Sequence, residues 1–200
     1  MNCTIVDYGT GNIQSVQNAL ESLGHSVNRS NNLENSTCDC LIFPGQGAFG
    51  PAIKRLHQLN LIEPLVKYIT SNRPFIGICL GFQLLFEGSK EAPNHSGLGA
   101  FKGTFEHFKL ENLSVPHMGW NQLESSESNS ILSNFNNQNF YFVHSYYLPF
   151  SNQKNAATTS YGHQFVSAIA TETKLITQFH PEKSGDIGLE LLDSFLTSVK

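Results

Sequence analysis

A cysteine held between two glycines, within Pro74-Phe75-Ile76-Gly77-Ile78-Cys79-Leu80-Gly81-Phe82-Gln83-Leu84-Leu85-Phe86, restricts the folds open to this chain more than any other segment. The apolar run before Cys79 has the make-up of a buried strand, and the segment after it reads as an amphipathic helix. Joining the two through a glycine-flanked bend gives a nucleophile elbow, in which a strained residue projects its side chain into a cleft. The amides of a departing helix surround that side chain with positive potential, which favours thiolate over thiol. An ordinary cysteine, with a pKa of about 8.5, is only a few per cent ionised at neutral pH, so such a placement increases the supply of nucleophile. The competing reading is a buried, inert thiol in a glycine turn, since free cysteine is among the most buried residue types.

The segments on either side of the elbow repeat its strand-then-helix order. Cys3-Thr4-Ile5-Val6-Asp7 reads as a buried strand. The turn Tyr8-Gly9-Thr10-Gly11-Asn12 opens a helix carrying Ile13, Val16, Leu20 and Leu23, which Gly24 closes. That turn lacks the third glycine of a dinucleotide-binding fingerprint, so a bare tight turn is expected. After an Asn/Ser-rich connection near residues 28–37, Cys40-Leu41-Ile42-Phe43 forms another strand. It ends in Pro44-Gly45-Gln46-Gly47-Ala48-Phe49-Gly50, and helical spacing resumes at Ile53, Leu56 and Leu59 and again at Leu65, Val66 and Ile69. This alternation predicts an α/β fold: a mostly parallel central sheet flanked by helices, with reactive groups at the carboxyl ends of its strands. From about residue 98 to 170 the runs are shorter, as in Phe140-Tyr141-Phe142-Val143 and Phe165-Val166-Ser167-Ala168-Ile169, and are broken by polar turns such as Ser125 to Ser130. They predict an antiparallel hairpin region added to one side of the sheet. A last strand, Leu175 to Phe179, precedes His180-Pro181-Glu182-Lys183, and a helix from about Gly188 to Val199 follows. Two hundred residues suit one domain, covering 1–200.

Charged residues make up only 14% of the chain and the net charge is −4, which argues against nucleic acid as the main partner. No basic N-terminal segment leads into an apolar stretch and no apolar run approaches a membrane span, so the expectation is a cytoplasmic protein with no membrane partner. The cysteines at 3, 38, 40 and 79 do not need to pair in such a chain. Cys38 and Cys40 enclose Asp39 without a second cysteine or histidine pair at zinc spacing, so neither a metal nor a cofactor is expected. Triplets such as Asn35-Ser36-Thr37 carry little weight without a secretory route.

A thiol nucleophile needs a base for its proton, and that base needs a third group to fix its tautomer. Among eight histidines, His180 follows a strand and has Glu182 at i+2, where extended period-two geometry puts imidazole and carboxylate on one side of the chain. Pro181 restricts His180 to extended angles. Attack on an amide also needs donors for the developing oxyanion. The N–H of Leu80 is one candidate, and Gly45-Gln46-Gly47 can present another through positive φ angles. Such a donor is worth about 3 to 4 kcal/mol of barrier.

Gly77-Ile78-Cys79-Leu80-Gly81 with the distant His180-Pro181-Glu182 resembles the class I glutamine amidotransferases, which hydrolyse glutamine by a Cys-His-Glu triad. Within that family five further stretches look like the glutaminase subunits of imidazole glycerol phosphate synthase, which serve histidine biosynthesis. They are Asp7-Tyr8-Gly9-x-Gly11-Asn12, Pro44-Gly45-x-Gly47-Ala48-Phe49, Pro116-His117-Met118-Gly119-Trp120-Asn121, Tyr141-Phe142-Val143-His144-Ser145-Tyr146 and Phe179-His180-Pro181-Glu182-Lys183. The resemblance implies Cys79 as nucleophile, His180 as general base and acid, and Glu182 as its orienting carboxylate. It implies Gly47 and Leu80 as oxyanion elements, and Gln83, Glu91, Ser145 and Tyr146 as the pocket for glutamine. Asn12, Pro116, Met118, Trp120, Tyr141 and Lys183 match positions facing a partner, the (β/α)8-barrel cyclase subunit, in a one-to-one heterodimer. Gln46 is a polar residue at a variable position of the oxyanion loop, where an aliphatic residue is also familiar in relatives, and is expected to act mainly through its backbone. His117 and His144 are expected to pack around the site without entering the chemistry.

The implied activity is ammonia production from glutamine, with the ammonia passed through the barrel to the cyclase site, where imidazole glycerol phosphate and an aminoimidazole carboxamide ribotide form. Two rivals keep a reactive Cys79: the glutaminase partner of a surface-sugar synthase or amidotransferase, and a free-standing cysteine hydrolase of γ-glutamyl or peptide bonds. A third is a silent subunit that only binds or regulates a barrel protein.

Overall fold

The central strands are buried along almost their whole length, so apolar side chains cover both faces of one sheet and helices pack on each. The computed structural model describes residues 1–9, 12–33, 37–125, 130–150 and 153–200. Gly11 of the N-terminal turn, Asn35 and Ser36 of the triplet, and 126–129 of the polar turn lie outside the described residues. In chain order the first half comprises β1 (Asn2–Val6), α1 (Ile13–Ser22), β2 (Ser26–Ser30), β3 (Cys40–Gly45), α2 (Phe49–Gln58), α3 (Ile62–Thr70), β4 (Phe75–Cys79) and α4 (Leu80–Leu84). The second half comprises β5 (Gly88–Ser89), β6 (Thr104–His107), β7 (His117–Gln122), β8 (Asn139–His144), β9 (Tyr146–Pro149), β10 (Ala156–Tyr161), β11 (His163–Ala170), β12 (Lys174–Thr177) and α5 (Gly185–Ser198).

Strands β2, β1, β3, β4 and β12 form the parallel half of the sheet, in that order. β11, β9 and β6 continue it antiparallel, β10 pairs with β11, and β7 and β8 form a separate two-stranded ribbon. On one face Cys3, Ile5, Ile42, Ile76 and Ile78 meet Val16 and Leu20 of α1 and Leu191, Leu192, Phe195 and Leu196 of α5. On the other, Leu41, Phe43, Phe75 and Ile176 meet α2, α3 and α4. Each such fully buried side chain contributes roughly 1.5–3 kcal/mol. Pro51 is accommodated in the first turn of α2, where its missing N–H breaks no helical bond.

Three features depart from the sequence reading. The start of the Asn/Ser-rich connection overlaps β2, an edge strand paired only with β1, whose mostly solvated side chains leave no apolar pattern to read. The segment leaving Cys79 is not amphipathic: α4 is five residues long and buried on every side, because it enters a core of Phe82, Phe86 and Phe105 rings. The last helix begins at Gly185, a turn earlier than its apolar spacing suggests. Among the described residues no helix is long and apolar enough to cross a membrane.

Candidate active site

Parallel register assembles the site. At the carboxyl end of β4, Cys79 is the Cα partner of Gly45 on β3, while its predecessor Ile78 pairs with Thr177 on β12. The Gly45-Gln46-Gly47 loop therefore leaves the sheet on one side of Cys79, and Gln178-Phe179-His180 leaves it on the other. Sequence separation of about a hundred residues becomes adjacency through strand order alone.

Cys79 has φ 54° and ψ −109°, a sparsely populated conformation that costs about 1–3 kcal/mol and is held here by the packed α4. Gly81 permits the bend, since a Cβ there would overlap the backbone carbonyl of Phe43. The glycines of the facing loop differ in purpose. Gly47 has φ +96° with open space around it, whereas Gly45 lies in β3 and is small because the Tyr8 hydroxyl and Leu80 crowd it.

His180 adopts the extended backbone that Pro181 requires, with φ −101° and ψ 94°. Glu182 reaches it differently from the period-two arrangement expected. Pro181–Lys183 is a single 3-10 turn, and it folds the carboxylate back so that Oε1 accepts from His180 Nδ1 at 2.7 Å, with both side chains almost fully buried. Nε2 is left without a hydrogen-bond partner among the described residues, as is Glu182 Oε2. Burial pushes the imidazole pKa down, but the Cys79 sulfur and the Glu182 carboxylate together outweigh it and raise His180 to about 10. The backbone of His180 is clamped as well. Its N–H donates to Tyr141 O at 2.9 Å, and its carbonyl accepts from Ser184 Oγ at 2.6 Å, which itself accepts from Tyr141 N–H at 3.0 Å.

A cavity of about 490 Å³ opens beside these groups, within the range of small-molecule sites. Cys79, Leu80 and Gly47 line it with His180, and so do Gln83, Glu91, Ser145 and Tyr146. Glu182 stands behind His180. Glu91 has a second contact, since its Oε2 accepts from Phe49 N–H at 3.2 Å and so caps the α2 N-terminus that follows the Gly47 loop. Of the positions expected to face a partner, Pro116, Tyr141 and Lys183 are at the cavity wall. Met118 and Trp120 are not; they are 62% and 58% exposed on the outer face of the β7–β8 ribbon, where Trp120 meets the Tyr141 ring edge-on. Asn12 is apart from the cavity and caps α1, its Oδ1 accepting from Ser15 N–H at 3.4 Å.

The inner face of the same ribbon carries His117 and His144, directly opposite each other. Asn121 Nδ2 donates to His117 Nε2 at 3.2 Å, His117 Nδ1 to His144 Nε2 at 3.0 Å, and His144 Nδ1 to the Tyr146 carbonyl at 2.8 Å. That chain assigns one neutral tautomer to each ring. Burial lowers His117 to about 4 and His144 to about 3; the Tyr146 carbonyl opposes the shift at His144, and His117 and His180 add to it. The pair thus packs as expected but also tethers the cavity-lining Tyr146 segment. Its stability effect has a definite sign. The unfolded chain takes up these protons first, so stabilisation present above pH 6.5 is lost as pH falls, by up to about 2 kcal/mol per histidine at pH 5. His180 has the opposite sign: its contribution is complete below pH 6.5 and is lost as pH rises through about 10. Urea midpoints should therefore decline from pH 6.5 to 5, and the decline should flatten in a His117→Asn/His144→Asn variant. An unchanged acid slope in that variant would assign the effect elsewhere.

Sequence reasoning gave no role to Gln178 or Ser184. Gln178 carried a usable signal, being a long polar side chain inside the apolar run Leu175-Ile176-Thr177-Gln178-Phe179; it is fully buried. Its Nε2 donates to Cys79 Sγ at 3.8 Å and its Oε1 accepts from Gln83 Nε2 at 3.0 Å. The four cysteines are all free thiols, and burial raises Cys3 to about 11, against the N-terminal charge. Among the described residues no group of three or more His, Cys, Asp and Glu could hold a metal ion.

The family model described as glutamine amidotransferase class-I matches residues 4–199. Imidazole glycerol phosphate synthase subunit HisH from Nostoc sp. is 45% identical over 202 residues, covering 98% of this chain and 95% of that one. Imidazole glycerol phosphate synthase hisHF, chloroplastic, from Arabidopsis thaliana is 44% identical over 200 residues, which are 96% of this chain but only 33% of that longer protein. The chain thus spans about a third of the length of this relative. The solved structure of PurLQS from Thermotoga maritima shares the fold, with a TM-score of 0.76 at 17% identity over 100% of this chain and 99% of that one.

Proposed function

This chain belongs to the class-I glutamine amidotransferase family, and from that premise we propose that it hydrolyses glutamine and delivers the ammonia to a cyclase subunit in imidazole glycerol phosphate synthase. The observation that carries the reading is the buried His180–Glu182 pair beside Cys79, on the wall of a cavity that also gathers Gly47, Leu80, Gln83 and Glu91. In this mechanism Cys79 passes its proton to His180 and attacks the side-chain carboxamide, and the N–H groups of the Leu80 and Gly47 elements receive the oxyanion. His180 protonates the departing ammonia, then activates the water that releases glutamate from the thioester. Glu182 holds the imidazole tautomer through Nδ1–H and balances its charge.

The chain acts in this reading as one glutaminase domain over 1–200, in the cytoplasm, in a one-to-one heterodimer with a (β/α)8-barrel cyclase that ammonia enters directly. The name of the Nostoc relative, a subunit, supports an assembled enzyme. The exposed Met118 and Trp120, adjoining the cavity wall at Tyr141, supply an apolar docking face, with Pro116 and Lys183 on the same cavity wall; Asn12 is assigned to the interface by the family resemblance alone. The test is glutamate release by the purified chain with and without a purified cyclase and its nucleotide ligand. Slow release alone and fast release in the liganded complex is the expected result. Full activity alone would instead indicate a free-standing hydrolase, and no activity in either state would remove the glutaminase assignment.

Trp120→Ala should weaken the complex by about 2 kcal/mol, the scale of an aromatic interface anchor, or raise the ratio of glutamate to synthase product. Unchanged affinity together with an unchanged ratio would take Trp120 out of the interface.

A further inference from the structure

The side chain of Gln178 stands between the sulfur of Cys79 and the cavity-lining Gln83, and the chemistry of its two ends fixes how all three groups are oriented. The residue follows β12, is entirely buried, and has its backbone N–H bonded to Ser167 O on β11 at 2.8 Å, so the amide is held by the sheet. A carboxamide nitrogen only donates and its oxygen only accepts. A sulfur that gathers negative charge is stabilised by a donor and repelled by an acceptor, so the Nε2 end belongs against Cys79, at 3.8 Å. Oε1 is then turned to Gln83 and accepts from its Nε2 at 3.0 Å. This fixes the Gln83 amide in turn and leaves its oxygen as the acceptor end of a side chain that lines the cavity.

We propose that Gln178 is a positioning residue for glutamine hydrolysis: it holds a neutral donor on the sulfur and fixes Gln83 so that its carbonyl oxygen meets a donor group of the substrate, such as the ammonium of an α-amino acid. The inference rests on the reading of Cys79 as the nucleophile. A neutral donor suits the place, because a cation there would compete with the His180 imidazolium for the charge of the sulfur. The hydrogen bond strengthens as the sulfur gains negative charge, when it gives up its proton to attack and again when the thioester breaks down, and weakens while the sulfur carries the acyl group.

The test reads the rate at which iodoacetamide, a small neutral electrophile, alkylates Cys79 in the full chain, with the labelled site located by peptide mass, beside kcat and KM for glutamine in the complex with the cyclase. Gln178→Met keeps most of the volume and removes both polar ends. It should slow alkylation by about ten-fold, the ratio that loss of a hydrogen bond to a charged group supports, and should also raise KM. Gln178→Leu should do the same, which keeps the test available if one variant folds poorly. Gln83→Met should raise KM while changing alkylation by no more than about two-fold, a split that general loosening of the site does not produce. Alkylation within about two-fold of the parent rate in both Gln178 variants overturns the inference while leaving the nucleophile in place. A parent Cys79 that resists iodoacetamide overturns both.

Discussion

Replacing Cys79 by alanine should abolish glutamine-dependent synthesis by the complex, a loss of about 10⁴-fold or more, while ammonia-dependent synthesis continues at the parent rate. The contrast follows from the division of labour proposed for the two subunits. Removing the sulfur removes the covalent intermediate, while His180 stays held by Glu182 through Nδ1 and by Tyr141 and Ser184 through its backbone. The cavity and the β7–β8 ribbon are untouched, so docking and the cyclase reaction persist when ammonia is supplied in solution. Alanine at this position should also be tolerated by the fold. A side chain at positive φ is already strained, and alanine adds no bulk. Equal loss of both activities would contradict the division of labour; retention of glutamine-dependent synthesis would remove Cys79 from the chemistry.

Gly81→Ala should have the largest effect on stability, about 3 kcal/mol or more, read as a fall in the urea midpoint together with loss of glutaminase activity. A Cβ at this position meets the carbonyl of Phe43, and its carbonyl carbon is also too close, so the obstacle is backbone and cannot rotate away. Relief would require α4 or β3 to shift. β3 carries the Gly47 loop and α4 seats Leu80 and Gln83, so either movement opens the site as well as the core. A Gly81→Ala protein with the parent midpoint and parent activity would show that the elbow has room for a Cβ beside the Phe43 carbonyl.

Much of this could be read from the residues in order. The elbow around Cys79, the strand-and-helix alternation of the first half, and the choice of His180 with Glu182 all rest on local signals: glycine spacing, apolar period and proline restriction. Those signals are strong where a segment is buried and its pattern is unbroken. They failed at β2, whose edge position leaves its side chains in water, and at α4, where a surrounding core removes the polar face by which a helix is recognised. They also misjudged how Glu182 reaches His180, because a 3-10 turn and an extended strand both bring residue i+2 near residue i when proline stands between them.

The order of residues therefore determined by itself where the chain bends, which side chains are candidates for the chemistry, and that a parallel sheet must carry them. Tertiary structure alone decided which of those groups meet. Parallel register set Gly45 beside Cys79 and Gln178 beneath its sulfur, and ribbon pairing faced His117 with His144 while turning Trp120 outward. The reason is physical: conformational preference is a property of a few neighbouring residues, whereas a hydrogen bond across about a hundred residues exists only once strand order and register have closed the distance between its ends.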